Sequence, residues 1–348
     1  VRFTRQRLNR TLLLRQHLLE RVPSDPISIC DHLVGLQAQE PMPPYLSLAA
    51  RLTDFDPYDV SRALEDRSLV RVLSLRDTIH LHTPGDALTL PVWAAPVRER
   101  EIKVSQSIGD ARELDRAAFR EAVREVIGDD EVPVRQLGAS LAERYPDHTP
   151  SQLGQLARVT EVLVQVPPRG CWKHPGGVTY AYADSWLDGE LAEPDVPAVV
   201  RRYLRAFGPA TAADVTAWTS ITRLGPVLKA MDDLEQHEDE DGRLLYDVAG
   251  APVADEDTPA PVRLLGAYDN VWLSHQNRDR VTTPEARKSW MGTNGGIGNT
   301  IFVNGWLAGI WRIVDDKVEI DRLHRDLTRS ERAGLDEEVA RVEELLAR

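Results

Sequence analysis

One short segment sets two identical amide side chains one residue apart: Gln37-Ala38-Gln39, within Leu36-Gln37-Ala38-Gln39-Glu40-Pro41-Met42-Pro43-Pro44. A glutamine amide offers N–H donors and an acceptor oxygen, which suits holding a water molecule or the edge of a base. On a continuous helix, residues i and i+2 point about 200° apart, so the two amides would diverge. Pro41 biases Glu40 toward extended backbone, so a helix is expected to end here, and extended geometry can bring both amides to one side. Taken alone, the pair can also be mere decoration of a helix end. His80 and His82 form a second pair, projecting from one face if they lie on a strand. They could ligate a metal, but no third ligand is evident, and a pair on a hairpin more often serves structure or touches phosphate. The glycine-rich residues 292–298 lack the Lys-Ser/Thr of a phosphate loop, and neither a Gly-x-Ser-x-Gly elbow nor His-Glu-x-x-His occurs.

The surrounding elements follow from periodicity and punctuation. Residues 5–20 place Leu8, Leu12 and Leu19 at helical spacing between arginines. Ser24-Asp25-Pro26 signals the start of a second helix running to Gln37, stopped by Pro41, Pro43 and Pro44. Helices are expected over 45–52 and 56–66, then two strands, 68–74 and 78–82, around an Arg76-Asp77 turn. Several helices followed by a hairpin is the order of a winged helix. That order recurs with helices 116–127, 134–144 and 151–164 before a wing over 164–182, which carries Pro167-Pro168-Arg169-Gly170 and Pro175-Gly176-Gly177 turns. It recurs again with helices 198–207, 212–219 and 224–234 before a strand at 243–248. The acidic stretch 235–261 reads as a loop or wing excursion, and 274–280 and 292–298 as exposed loops. Strands 262–268, 300–303 and 306–314, the last two joined by Asn304-Gly305, precede a closing helix over 328–346 with Thr328 and Glu331 at capping-box spacing.

A chain of 348 residues with 42% hydrophobic content can bury a large core in two or three domains. Cys30 and Cys171 are far apart, and with His32 and His174 they do not make a zinc set, so a reducing cytosol is expected. No apolar run is long enough to span a bilayer, and the first residues alternate with arginine, so an unexported cytoplasmic protein is expected. The net charge of −13 argues against a polyanionic partner. The distribution softens this: Arg2, Arg5, Arg7, Arg10, Arg15 and Arg21 face only Glu20 locally, while the acids from Asp232 to Asp241 lie far downstream. Both runs can also be solvated helix faces.

Taken together, Gln37-x-Gln39 before a proline-rich turn, the strand pair around Arg76-Asp77-Thr78-Ile79-His80, and the late segments Tyr268-Asp269-Asn270-Val271-Trp272-Leu273-Ser274-His275, Asn304-Gly305 and Gly309-Ile310-Trp311-Arg312 give the chain a likeness. It resembles the bacterial winged-helix DNA glycosylases, in their azinomycin-resistance, AlkZ-like branch, over roughly residues 5–346. The resemblance implies a helix-rich α+β fold of three tandem winged-helix domains in a C shape with hairpin wings, divided at 1–110, 111–193 and 194–348. It implies that Gln37 and Gln39 are the catalytic pair; the other branch has aspartate at the second position, where this chain has Gln39.

Glutamine is a poor base, so the chemistry must need little proton abstraction. An N7-alkylated purine meets that condition, since it departs as a neutral base and leaves a sugar cation for water to capture. The implied activity is metal-free and cofactor-free removal of N7-alkylated purines from double-stranded DNA. It extends to bulky adducts and interstrand crosslinks, gives self-resistance to a genotoxin, and belongs to a monomer with a shallow site. His80 and His82 are candidates for the pocket or phosphate, Arg2, Arg5, Arg7 and Arg10 for backbone contacts, and Trp306 for a groove wedge or core packing. Two rivals stand beside this reading: a winged-helix regulator using helix 151–164 or 224–234, each with a single basic residue, and a toxin-sequestering protein.

Overall fold

The computed structural model describes residues 2–174, 176–290 and 298–348. The Pro175 turn position and residues 292–297 of the glycine-rich loop lie outside the described residues. An initial strand, Arg2–Phe3, leads into helix Arg5–Arg15, capped by the Thr4 hydroxyl, which accepts from the Arg7 N–H. This helix stops five residues earlier than periodicity suggests, because His17 turns to φ +55°. Asp25 caps helix Pro26–His32. That helix does not continue to Gln37: Val34 and Gly35 adopt φ +53° and +95°, and the chain emerges as strand Leu36–Gln37. Pro43 and Pro44 begin helix Pro43–Ala49 rather than ending its predecessor, since the first turn of a helix needs no N–H partners. Helix Pro57–Glu65 follows on its Asp56 cap, then strands Val70–Leu73 and Ile79–His82 around a tight turn in which Arg76 and Asp77 are both left-handed.

The order helix, short strand, helix, helix, strand, strand occurs three times. After Pro26–His82 it returns as Arg116–Ile127, Val132–Pro133, Val134–Arg144, Pro150–Thr160, Leu163–Gln165 and Thr179–Tyr182. The third time it runs Val196–Phe207, a single bridge residue Ala210, Ala212–Thr219, Gly225–Ala230, Leu234–Asp239 and Leu244–Val248. In each case the short strand or bridge pairs antiparallel with the last strand: Leu36 with Leu81, Val132 with Tyr180, Ala210 with Tyr246. The first two hairpins fuse into one six-stranded sheet through Arg71 opposite Gln165 and Val72 opposite Val164.

The acidic stretch opens as a strand, not a loop. Leu234–Asp239 pairs with Leu244–Val248, and the Asp239 carboxylate closes the turn by accepting from the Asp241 and Arg243 N–H groups. Strand Arg2–Phe3 lies parallel to it, with Arg2 opposite Glu238 and Phe3 opposite Asp239, so the basic and acidic runs are neighbours in space. Residues 274–280 are not an exposed loop, since Ser274, His275 and Arg280 are buried. Strands Arg263–Leu265, Asn299–Val303, Trp306–Val314 and Lys317–Leu323 form an antiparallel sheet, and Thr328 and Glu331 cap helix Arg329–Ala347 in a full capping box. Helices Pro84–Trp93 and Ala95–Val104, strand Lys317–Leu323 and several short helices have no counterpart in the sequence reading.

Two buried bidentate ion pairs tie distant segments together. Arg51 grips Asp269 at 2.7 and 2.8 Å, with Ser47 donating to the same carboxylate, and Arg15 grips Asp247 at 2.7 Å through both nitrogens. Burial pushes the Asp269 carboxyl up, but Arg51 and Ser47 outweigh it and hold it below its ordinary range. No described helix is long and apolar enough to cross a membrane.

Candidate active site

Gln37 lies directly opposite His80 across an antiparallel pair, so their side chains share a face of the sheet. Pairing continues past Gln37, with the Ala38 N–H donating to Ile79 O at 2.7 Å. Gly35 makes this approach possible: a Cβ there would stand 2.3 Å from His82 Nδ1. Asn270 fixes the bend by donating to Gly35 O at 2.9 Å. Gln37 is buried and Gln39 is exposed.

The hairpin anchors both amides by their oxygens. Arg76 Nη2 donates to Gln37 Oε1 at 3.2 Å, and the Ile79 peptide N–H donates to Gln39 Oε1 at 3.1 Å. Arg71, from the adjoining strand, donates to the Ala38 carbonyl between them at 2.8 Å and to Gln165 Oε1 at 3.2 Å. Arg76 also donates to His80 Nε2 at 2.9 Å and to the Trp218 carbonyl. An arginine can only donate, so His80 Nε2 is the accepting nitrogen and Nδ1 carries the proton, which it gives to Thr78 O at 3.0 Å. Burial first, then Arg76 and His82, keep His80 neutral well below its ordinary pKa.

His82 stacks on His80 with ring centroids 5.2 Å apart and meets Ser74 Oγ at 2.8 Å. Burial lowers it to about 4. Both histidines are buried, so neither reaches phosphate as a surface side chain; His80 instead supports the floor beneath Gln37. Among the described residues no three His, Cys, Asp or Glu side chains converge to hold a metal.

The amino-terminal arginines are placed differently from one another. Arg10 is buried, with its donors spent on Thr258 O, Asn304 O and Asn304 Oδ1, so it is not available to a DNA backbone. Arg2 bonds the Glu240 carbonyl, Arg5 lies over the Trp306 ring and Arg7 over Phe3. The Asn304-Gly305 turn is tucked against helix Arg5–Arg15, where Asn9 donates to Gly305 O at 2.8 Å. Trp306 is therefore a half-buried wall residue under Arg5, not the tip of a free hairpin.

A different row of cations leads away from Arg76, which holds Gln37. Burial and then Arg278 lower Arg76 to about 10; burial and then Arg287 lower Arg278. Arg278 and Arg287 make no side-chain hydrogen bond or ion pair among the described residues. Arg71 and Arg76 were not singled out from the sequence, because an arginine within strand alternation or at a hairpin tip reads as solvent-facing. A cavity of about 540 Å³, walled by Arg5, Asp214, Asp239, Gln276 and Arg280, includes neither glutamine.

The model of the AlkZ-like DNA glycosylase family matches residues 30–345. The chain belongs to this family. It is a DNA glycosylase, a hydrolase of N-glycosyl bonds, which sets aside the regulator and toxin-sequestering readings. An interstrand DNA cross-link repair glycosylase of Streptomyces sahachiroi is 29% identical over 331 residues, covering 88% of this chain and 87% of that protein. Among solved structures, the Streptomyces sahachiroi DNA glycosylase AlkZ superposes with a TM-score of 0.82 at 23% identity, covering 100% of this chain and 98% of that one. At that identity the likeness is one of fold.

Proposed function

We propose that this AlkZ-like glycosylase removes N7-alkylated purines, including bulky adducts, from double-stranded DNA, and that it unhooks interstrand crosslinks, the lesion in the name of its cross-link repair relative. Gln37 and Gln39 are its catalytic pair. It works as a monomer without metal or cofactor and gives self-resistance to a DNA-alkylating agent. The threefold recurrence of helix, strand, helix, helix, strand, strand supports three tandem winged helices, at 1–110, 111–193 and 194–348, arranged as a C around the duplex. The observation that carries the reading is the fixing of both amides on one hairpin, with no carboxylate hydrogen-bonded to either among the described residues. Such a site can orient water and stabilise charge but cannot abstract a proton strongly, which matches a substrate whose base is already a good leaving group.

Arg278 and Arg287, which have no side-chain partner among the described residues and follow on from Arg76, supply phosphate contacts in place of the buried Arg10. The test is release of 7-methylguanine from methylated duplex DNA at neutral pH in the presence of chelator. Gln37→Ala and Gln39→Ala are each expected to slow release by about a hundredfold with DNA binding retained. Release undiminished in the double variant would remove the pair from the chemistry.

A further inference from the structure

Holding water leaves open which end of each glutamine amide faces the substrate. The hydrogen bonds decide it for Gln37. A guanidinium has no acceptor, so the group facing Arg76 Nη2 must be the amide oxygen, and the flipped amide would set N–H against N–H. Gln37 Nε2 then points away from Arg76 and has no hydrogen-bond partner among the described residues. Arg76 cannot easily follow the amide if it turns, because its other bonds, to His80 Nε2 and the Trp218 carbonyl, hold the guanidinium in place. Each further partner makes one orientation of the fork the only satisfied one.

We propose that Arg76 is a positioning residue that locks the Gln37 carboxamide with its N–H donors outward, and that Gln37 donates to the minor-groove acceptor N3 of the departing purine. This rests on the glycosylase reading given above. As the C1′–N9 bond breaks, its electron pair moves onto the purine and neutralises the cationic ring, so N3 becomes a better acceptor in the transition state than in the ground state. A donor placed there accelerates the step, because its bond strengthens only as the reaction proceeds. Water oxygen forms the new bond to C1′, and its surplus proton passes to solvent. N3 is common to adenine and guanine and faces the minor groove in both, so the contact selects purines without selecting between them.

The experiment compares single-turnover release of 7-methylguanine by the wild type, Gln37→Glu, Gln37→Ala, Arg76→Met and Arg76→Lys, with duplex affinity and thermal midpoint measured for each. Gln37→Glu keeps the shape and the oxygen facing Arg76 but puts a second oxygen where the N–H donors were. It is expected to be as slow as Gln37→Ala, about a hundredfold below wild type. Arg76→Met is expected to lower the rate about tenfold with duplex affinity unchanged, to add nothing to Gln37→Ala, and to be partly rescued by lysine. A duplex carrying the 3-deaza analogue of the methylated base, which lacks N3, should slow the wild type and leave Gln37→Ala no slower than the wild type. Near-wild-type activity in Gln37→Glu would show that Gln37 acts as an acceptor and overturn the inference. So would additive losses in Arg76→Met with Gln37→Ala, or undiminished release from the 3-deaza duplex. If the wild type releases no base from methylated or bulky N7-adducted DNA, the glycosylase chemistry proposed above fails instead.

Discussion

His80 stays neutral and Arg76 stays protonated over one wide range: burial keeps the imidazole from gaining a proton, and the guanidinium, lowered only to about 10, does not lose its own. Glutamines do not titrate. Base release is therefore expected to be flat from pH 6 to 9, and a bell-shaped profile with a limb near 7 would mean that an unrecognised acid or base is at work. Stability behaves differently. Burial lowers His17 and His82 to about 4 and His275 to about 3, and lowers His80 as well. Between those values and the unfolded value of 6.5, the unfolded chain binds protons that the folded chain refuses. The stabilisation is thus complete above about 6.5 and lost as pH falls toward 4. Asp77, pushed up to about 6 by burial, and Glu161, also raised by burial, work the opposite way. Thermal unfolding followed from pH 7.5 to 4 should show a midpoint falling steeply below 6.5. A midpoint unchanged down to pH 4 would contradict the buried neutral histidines.

At the scale of elements, the bend at Gly35 allows Gln37 to be a strand residue at all. Gly35→Ala combines φ +95° with a Cβ 2.3 Å from His82 Nδ1 and 3.0 Å from Leu81 O. Gly242→Ala, at φ +78° with nothing within 4 Å, carries only the backbone cost. The first is expected to cost about 1–3 kcal/mol more than the second in denaturant unfolding and to abolish base release; equal effects would mean that His82 yields freely. The sequence displayed the hairpin that carries His80, the caps at Asp25, Asp56 and Thr328, and the Gln-x-Gln segment, because each is written in local residues. It could not display Arg71 and Arg76 as buried anchors, since what buries them, Gly170 and Trp218, arrives from other units. Helix Pro84–Trp93 was hidden by Pro91 within it, which local rules treat as a break. Strand Lys317–Leu323 alternates, but the Asp315-Asp316 turn before it, both residues at positive φ, lacks the glycine that marks such a turn in sequence.

For the whole molecule, a net charge of −13 does not forbid DNA; it requires that the cations be local. Strand Arg2–Phe3 beside Glu238 and Asp239 partly cancels the amino-terminal basic run, while Arg278, near Arg76, and Arg287, near Arg278, have no side-chain partner among the described residues. Arg278→Ala and Arg287→Ala should each reduce the slope of log affinity against log salt by about 1, whereas Arg10→Ala should lower stability and leave that slope alone. An unchanged slope in the first two would move the DNA path elsewhere on the surface. The same parallel strand pairing has a consequence for biosynthesis. The Arg5 N–H meets Glu240 across 235 residues of sequence, so the first helix leaves the ribosome long before its partner strand exists. At bacterial elongation speeds of about 5–20 residues per second, that is a delay of roughly ten to fifty seconds.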